Sequence, residues 1–151
     1  MLFKEKLQDS IKAIFPHSYV SVSSNNGFGS ASIVISFLMA KDASECSNGI
    51  EQNDDFRHTI WIYGVDAEGN HMTDKQLSVE CSTGSFSIKS ENRMLAYGRV
   101  NTKWRNFKTD SEDKAVTKIA TYFEKMKDLI AQNKDRLTDY SRNLVEQKQY
   151  A

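Results

Sequence analysis

Cysteine is nearly absent from this chain of 151 residues: only Cys46 and Cys81 are present. Two cysteines so far apart in sequence make neither a disulfide framework nor a paired-cysteine metal knuckle, and both read as free thiols. Long apolar runs are missing too. The longest, residues 31–40, is interrupted by Ser32 and Ser36 and falls far short of the roughly 20 residues a membrane helix needs. The start of the chain mixes Lys4, Glu5 and Lys6 with Met1, Leu2 and Phe3, unlike an export leader with its apolar core and small-residue cleavage site. The expected compartment is therefore the cytoplasm, with no membrane contact. Neither charge sign is in excess, with 20 basic and 20 acidic side chains, which argues against a dominant basic surface. Also missing are a glycine-rich phosphate loop leading into a helix, a helix carrying two metal-spaced histidines, and a nucleophile elbow. An enzyme would have to assemble its site from scattered residues, so the expectation is a protein without enzymatic activity and without a cofactor.

What is present suits one packed domain over residues 1–151: 39% of the side chains are hydrophobic and 11% aromatic, and this length buries enough apolar surface to fold without staples. Phe3, Leu7, Ile11 and Ile14 recur at helical spacing until Pro16, which has no amide proton and disfavours helical geometry at Phe15. Val20 and Val22 then alternate with serines. After a flexible Asn-Asn-Gly stretch, Ala31, Ile33, Ile35, Phe37 and Met39 alternate in the same way, which predicts a hairpin with a long second strand. Further strands are expected at 59–65, 77–81, 85–89, 94–100 and 103–107, separated by turn-forming residues. Short links between consecutive strands favour antiparallel pairing. The predicted fold is α+β, an antiparallel sheet of about six or seven strands between an N-terminal helix and a long C-terminal amphipathic one. Residues 41–57 read as an irregular loop, and loops of this length inside compact domains are often functional.

Val116, Ile119, Phe123, Met126, Ile130, Asn133, Leu137, Tyr140 and Leu144 follow at spacings of three and four, a helical stripe broken only by Asn133. Asp110 and Ser111 ahead of Glu112 and Asp113 place the helix start near Ser111. The first half of the stripe reads as core. The second half lies beyond a polar run, and Thr138 or Asp139 could cap a new helix there. Residues 133–151 are thus expected to protrude or form a separate helix that packs on a partner, a second copy of the chain included.

Charge is balanced in total but not locally. Residues 1–41 carry +2, residues 42–80 carry −7, residues 81–108 carry +5, and the remainder is neutral. Either the acidic and basic segments face each other across neighbouring strands, or they form separate patches that steer charged partners. The acidic candidate comprises Asp42, Glu45, Glu51, Asp54 and Asp55. The basic one comprises Arg93, Arg99, Lys103, Arg105 and Lys108, interleaved with Tyr97, Trp104 and Phe107. Basic side chains neutralise phosphates and aromatic faces stack on unpaired bases.

Other arrangements are weaker. Residues 42–55 do not reproduce the every-second-residue ligand pattern of a calcium-binding EF-hand. Cys46 would need His58 beside it to form a thiolate, and His71 with Asp74 could act as a base and its orienting partner.

The first expectation is thus a non-enzymatic protein-binding accessory or inhibitory module of the kind a phage or other mobile element encodes. It would use Asp42, Glu45, Glu51, Asp54 and Asp55 together with Leu137, Tyr140 and Leu144. The alternative is a nucleic-acid-binding domain using Arg93, Arg99, Lys103, Trp104, Arg105 and Lys108. If the second half of the stripe is an association surface, replacing Tyr140 and Leu144 with Ser weakens self-association in light scattering and leaves the melting temperature nearly unchanged.

Overall fold

The apolar residues at three- and four-residue spacing near the N-terminus form α1 (Phe3–Ile14), with Phe3, Leu7, Ile11 and Ile14 buried on one face. Pro16 ends it, and the chain turns into β1 (Tyr19–Asn25) and β2 (Ser30–Leu38). These are followed by β3 (Asp55–Tyr63), β4 (Leu77–Cys81), β5 (Gly84–Ser90), β6 (Arg93–Val100), β7 (Phe107–Thr109) and α2 (Glu112–Gln149). The computed structural model describes residues 1–25, 29–38, 55–81, 84–90, 93–100 and 106–149. The architecture is α+β, and every pairing in its seven-stranded sheet is antiparallel. Among the described residues no helix is long and apolar enough to cross a membrane.

β3 is the hub. Along its whole length it pairs with β2, which in turn pairs with β1. On its other side the first residues, Asp55 to Arg57, pair with β5, and the last, Ile60 to Tyr63, pair with β4. β4 and β5 therefore run in the same direction along one flank of β3, and the sheet forks into a β4–β7 arm and a β5–β6 arm. Gly84 stands at the fork. A Cβ there would lie 3.1 Å from the Phe56 ring and 3.3 Å from the His58 ring, so a side chain would crowd the hub. At the other end of β3, Gly64 adopts φ +93, and a Cβ would fall 2.4 Å from the Gln76 carbonyl oxygen. Only glycine fits that backbone without strain.

Strand alternation sorts the sheet into two faces. Val20, Ala31, Ile33, Ile35, Phe56, His58, Ile60, Ile62, Val79 and Ile88 are buried in the core shared with both helices. Arg57, Thr59, Trp61, Tyr63, Glu80, Ser85 and Arg99 point the other way and are half-buried or exposed. Phe15 and Phe123 meet edge-to-face at a centroid distance of 5.9 Å where the two helices touch, and Lys6 and Asp113 form an ion pair at 3.1 Å.

α2 starts as expected. The Ser111 hydroxyl accepts the Lys114 amide proton at 3.2 Å, and the Thr109 hydroxyl accepts that of Ser111. Of the two alternatives near Asn133, a new helix or a continuous one, the helix is continuous: residues 133–139 contain neither glycine nor proline, and propagation costs little once a helix exists. Nor does the stripe project away from the chain: Asn133, Leu137 and Ser141 are buried and Leu144 packs against the core. The buried positions also differ slightly from the 3.5-residue pattern. Ala115 is buried where Val116 is half-buried at the core's margin, and Ser141 is buried where Tyr140 is exposed. A strict 3.5 repeat drifts about 20° per heptad around a straight helix, so Val116 and Tyr140 slip off opposite edges of the buried arc. Leu137 is only 7% exposed and Tyr140 is 45% exposed. Leu137→Ala is thus expected to lower stability by about 2–4 kcal/mol, and Tyr140→Ser by under about 0.5 kcal/mol, as read from urea denaturation midpoints.

Candidate functional site

Because α1 and α2 lie on one side, the opposite face of the sheet carries no helix among the described residues. The ladder registers define its cross-strand rows. One runs Tyr19, Ser36, Arg57, Ser85, Arg99. Beside it Asp55, Ser87 and Tyr97 stand opposite one another. On the other arm a row runs Ser23, Ser32, Trp61, Glu80, and a further one runs Ser30, Tyr63, Ser78, Lys108. Small hydroxyl side chains thus form a floor from which a few large residues rise. Tyr97 is 79% exposed, and Tyr19, Trp61 and Tyr63 are exposed as well. Arg99 and Lys108 are exposed, Arg57 is half-buried, and Glu80 is an exposed carboxylate on the same face. Ser36, with Tyr19 and Arg57 on the strands either side, is itself buried. Aromatic planes, guanidinium groups and hydroxyls thus share this face.

The structure brings only part of the expected site residues together. Arg99 and Lys108 share the helix-free face, while Arg93 is exposed at the start of β6. Lys103, Trp104 and Arg105 lie outside the described residues, as do Asp42, Glu45, Glu51 and Asp54. Asp55 opens β3, so residues 55–57 of the expected 41–57 loop are strand, and residues 41–54 lie outside the described residues. Of the three helical candidates, Leu137 closes on the chain's own core and Leu144 packs at its margin, which leaves Tyr140 as the exposed one. Charged residues of the described ladders stand opposite neutral ones: Glu80 opposite Trp61 and Lys108 opposite Ser78. Trp61, Tyr63 and Tyr19 were not among the expected binding residues. The odd positions of β3 alternate with buried even ones, and that alternation was the available clue.

The candidate bases are placed elsewhere. His58 is fully buried on the helix side, edge-to-face with Phe56 at 5.0 Å and with Phe123 at 6.3 Å. Neither ring nitrogen has a hydrogen-bond partner among the described residues. Burial lowers its pKa from 6.5 to about 4, because desolvation disfavours the charged ring. Cys46 lies outside the described residues, and a sealed imidazole cannot reach a substrate in solvent. The His71 ring nitrogen Nε2 bonds the Lys75 carbonyl at 2.5 Å, and its amide donates to Glu112 at 3.3 Å. No group of three or more metal-ligating side chains forms among the described residues.

Two recesses open on the helix side. One, of about 240 Å³, lies between Phe15, Pro16 and Ile130, with Lys127 and Lys134 on its lining. Its hydroxyl, that of Ser18, donates to the Phe15 carbonyl at 2.7 Å. The other, of about 680 Å³, separates Phe86 and Val100 from Leu129, Asn133 and Leu137, and there the Asn133 side-chain oxygen accepts from Arg136.

The folded state keeps His58 neutral down to about pH 4, whereas the unfolded chain binds that proton near pH 6.5. Between those values the unfolded state holds more protons, so stability falls as pH falls. The expected loss from this residue between pH 7 and pH 4 is roughly 3 kcal/mol. Urea titrations across that range check it, and His58→Leu is expected to remove that part of the slope.

Comparison with models of protein families, with curated proteins and with solved structures finds no match to this chain.

Proposed function

We propose that this chain is a non-enzymatic module that binds a protein partner through the helix-free face of its sheet. It would be an accessory or inhibitory protein of a phage or other mobile element, acting in the cytoplasm. The observation that carries this reading is the presence of Tyr19, Trp61, Tyr63 and Tyr97 on the same face as Arg57 and Arg99, over a floor of serines. Tyrosine, tryptophan and arginine dominate the energetics of protein interfaces: the two aromatics bury a large area for few rotatable bonds and keep a polar group, and arginine brings a planar guanidinium with several donors. Tyrosine with serine is also the composition of antibody contact surfaces, where the hydroxyls supply adaptable hydrogen bonds. Arg57, Arg99 and Lys108 outnumber Glu80 among the described side chains of the face, so the complementary surface is acidic with apolar recesses.

A second reading uses the same face. Arg99 and Lys108 would neutralise phosphates while Tyr97 and Trp61 stack on the bases of a single strand.

The separating experiment compares the wild-type chain with a Trp61→Ser, Tyr97→Ser, Arg99→Ser variant and with Tyr140→Ser. Cross-linking with mass spectrometry is expected to identify a partner joined to the sheet face by the wild type and by Tyr140→Ser, and lost from the triple variant. A partner joined equally by all three overturns the assignment of the face. A labelled oligonucleotide that binds at 50 mM salt and weakens by roughly 10-fold or more at 200 mM salt replaces it with the second reading.

A further inference from the structure

We propose that the outer edge of β1, which pairs with no strand among the described residues other than β2 on its inner side, accepts an extended, acidic segment of a partner protein as an additional antiparallel strand. Two independent bonds establish which backbone groups face outward. The Gly64 amide donates to the Gly29 carbonyl at 3.0 Å, extending the β2–β3 ladder. Hydrogen-bonded pairs alternate along an antiparallel ladder, so the odd residues of β2 turn their backbone groups toward β3 and the even ones toward β1. By the β1–β2 register, Tyr19, Ser21 and Ser23 bond to β2, and Val20, Val22 and Ser24 point away from it. The Gln8 side chain agrees: its amide nitrogen donates to the Val20 carbonyl at 3.3 Å. The backbone amides and carbonyls of Val22 and Ser24 have no partner among the described residues.

Edge strands ordinarily carry charge, proline or a bulge that discourages pairing. β6 has Arg93 and Arg99 and a register shift after Ile88, and β7 has Lys108. β1, with the sequence Tyr-Val-Ser-Val-Ser-Ser-Asn, has none of these.

The occupant follows from charge. Lys4, Gln8 and Lys12 lie at four-residue intervals on one face of α1, and that row tracks the edge. Lys12 donates to the Ser18 carbonyl just before β1, and Gln8 reaches Val20. Lys4 lies over Gly69, beside which Ser24 also stands. A strand laid against Val22 and Ser24 thus runs beneath two cations, which a segment carrying Asp or Glu at its ends would complement. A second copy of this chain would bring its own Lys4 and Lys12 to the same place and be repelled. The proposal rests on the reading that the partner is a protein, and not on which residues of the open face it touches.

The probe is the capped peptide Glu-Val-Thr-Val-Thr-Glu, with Lys-Val-Thr-Val-Thr-Lys as its control, titrated into the full chain while amide hydrogen exchange is followed by NMR. Saturating acidic peptide is expected to slow exchange at Val22 and Ser24 at least about 10-fold, with little change from the basic peptide. Val22→Pro removes an outward amide and no ladder bond, so it is expected to keep the free protein's spectrum and abolish the effect. Lys4→Glu with Lys12→Glu is expected to weaken acidic-peptide binding roughly tenfold. Val22 and Ser24 amides already protected in the dilute free protein would overturn the proposal, since the edge would then be covered. Protection that grows with protein concentration alone would assign the edge to a second copy instead. Loss of the open-face contact with edge protection intact would overturn only the function proposed for the face.

Discussion

The register of β3 is the constraint on which the rest of this structure depends. Its even positions, Phe56, His58, Ile60 and Ile62, are all sealed in the core, and its odd positions, Arg57, Thr59, Trp61 and Tyr63, form the open face. A slip of one residue would exchange the two sets. It would put an arginine and a tryptophan against the helices and four core residues in water, a change that no local adjustment could offset. Since β3 pairs with β2 on one side and with both β4 and β5 on the other, the same register also aligns both arms of the sheet. Gly84 at the fork leaves the room that Phe56 and His58 occupy.

The helices and the sheet divide the work. α1 and α2 both dock on the even face, so among the described residues one side of the sheet is packing and the other is surface. This explains why the polar groups in the core are few and local. His58 is held neutral among aromatic rings, while Asn133 and Ser141 enter the buried arc of α2 only in its second half, where Asn133 lines the recess near Phe86 and Val100. It also explains the serines. On a sheet face with no described helix above it, small hydroxyl residues keep strand geometry without presenting a continuous apolar patch, and Tyr19, Trp61, Tyr63 and Tyr97 among them are exposed.

Much of the fold was legible in the residue pattern. The four apolar positions of α1, the β1–β2 hairpin, the helix start at Ser111 and the antiparallel order all rest on interactions between near neighbours, which leave periodic traces. Of the expected 103–107 strand, residues 103–105 lie outside the described residues, and the described strand there is Phe107–Thr109, where three residues are too few for alternation to mark a boundary. The continuity of α2 past Asn133 was not legible for a related reason: a polar residue in an apolar stripe looks like an ending when judged from its neighbours, whereas its burial depends on what lies across from it.

The sequence by itself determined which segments are helix and strand, because hydrophobic period and breakers act over a few residues. It also determined that one stripe of α2 must be covered. Only the tertiary structure decided what covers it, because Leu137 meets core residues that are distant in the chain. The same holds for the open face, where Tyr19, Arg57, Trp61, Tyr97 and Arg99 come from three separate strands. Their assembly follows from strand order and register, which are set by packing between segments and leave no trace at any one position.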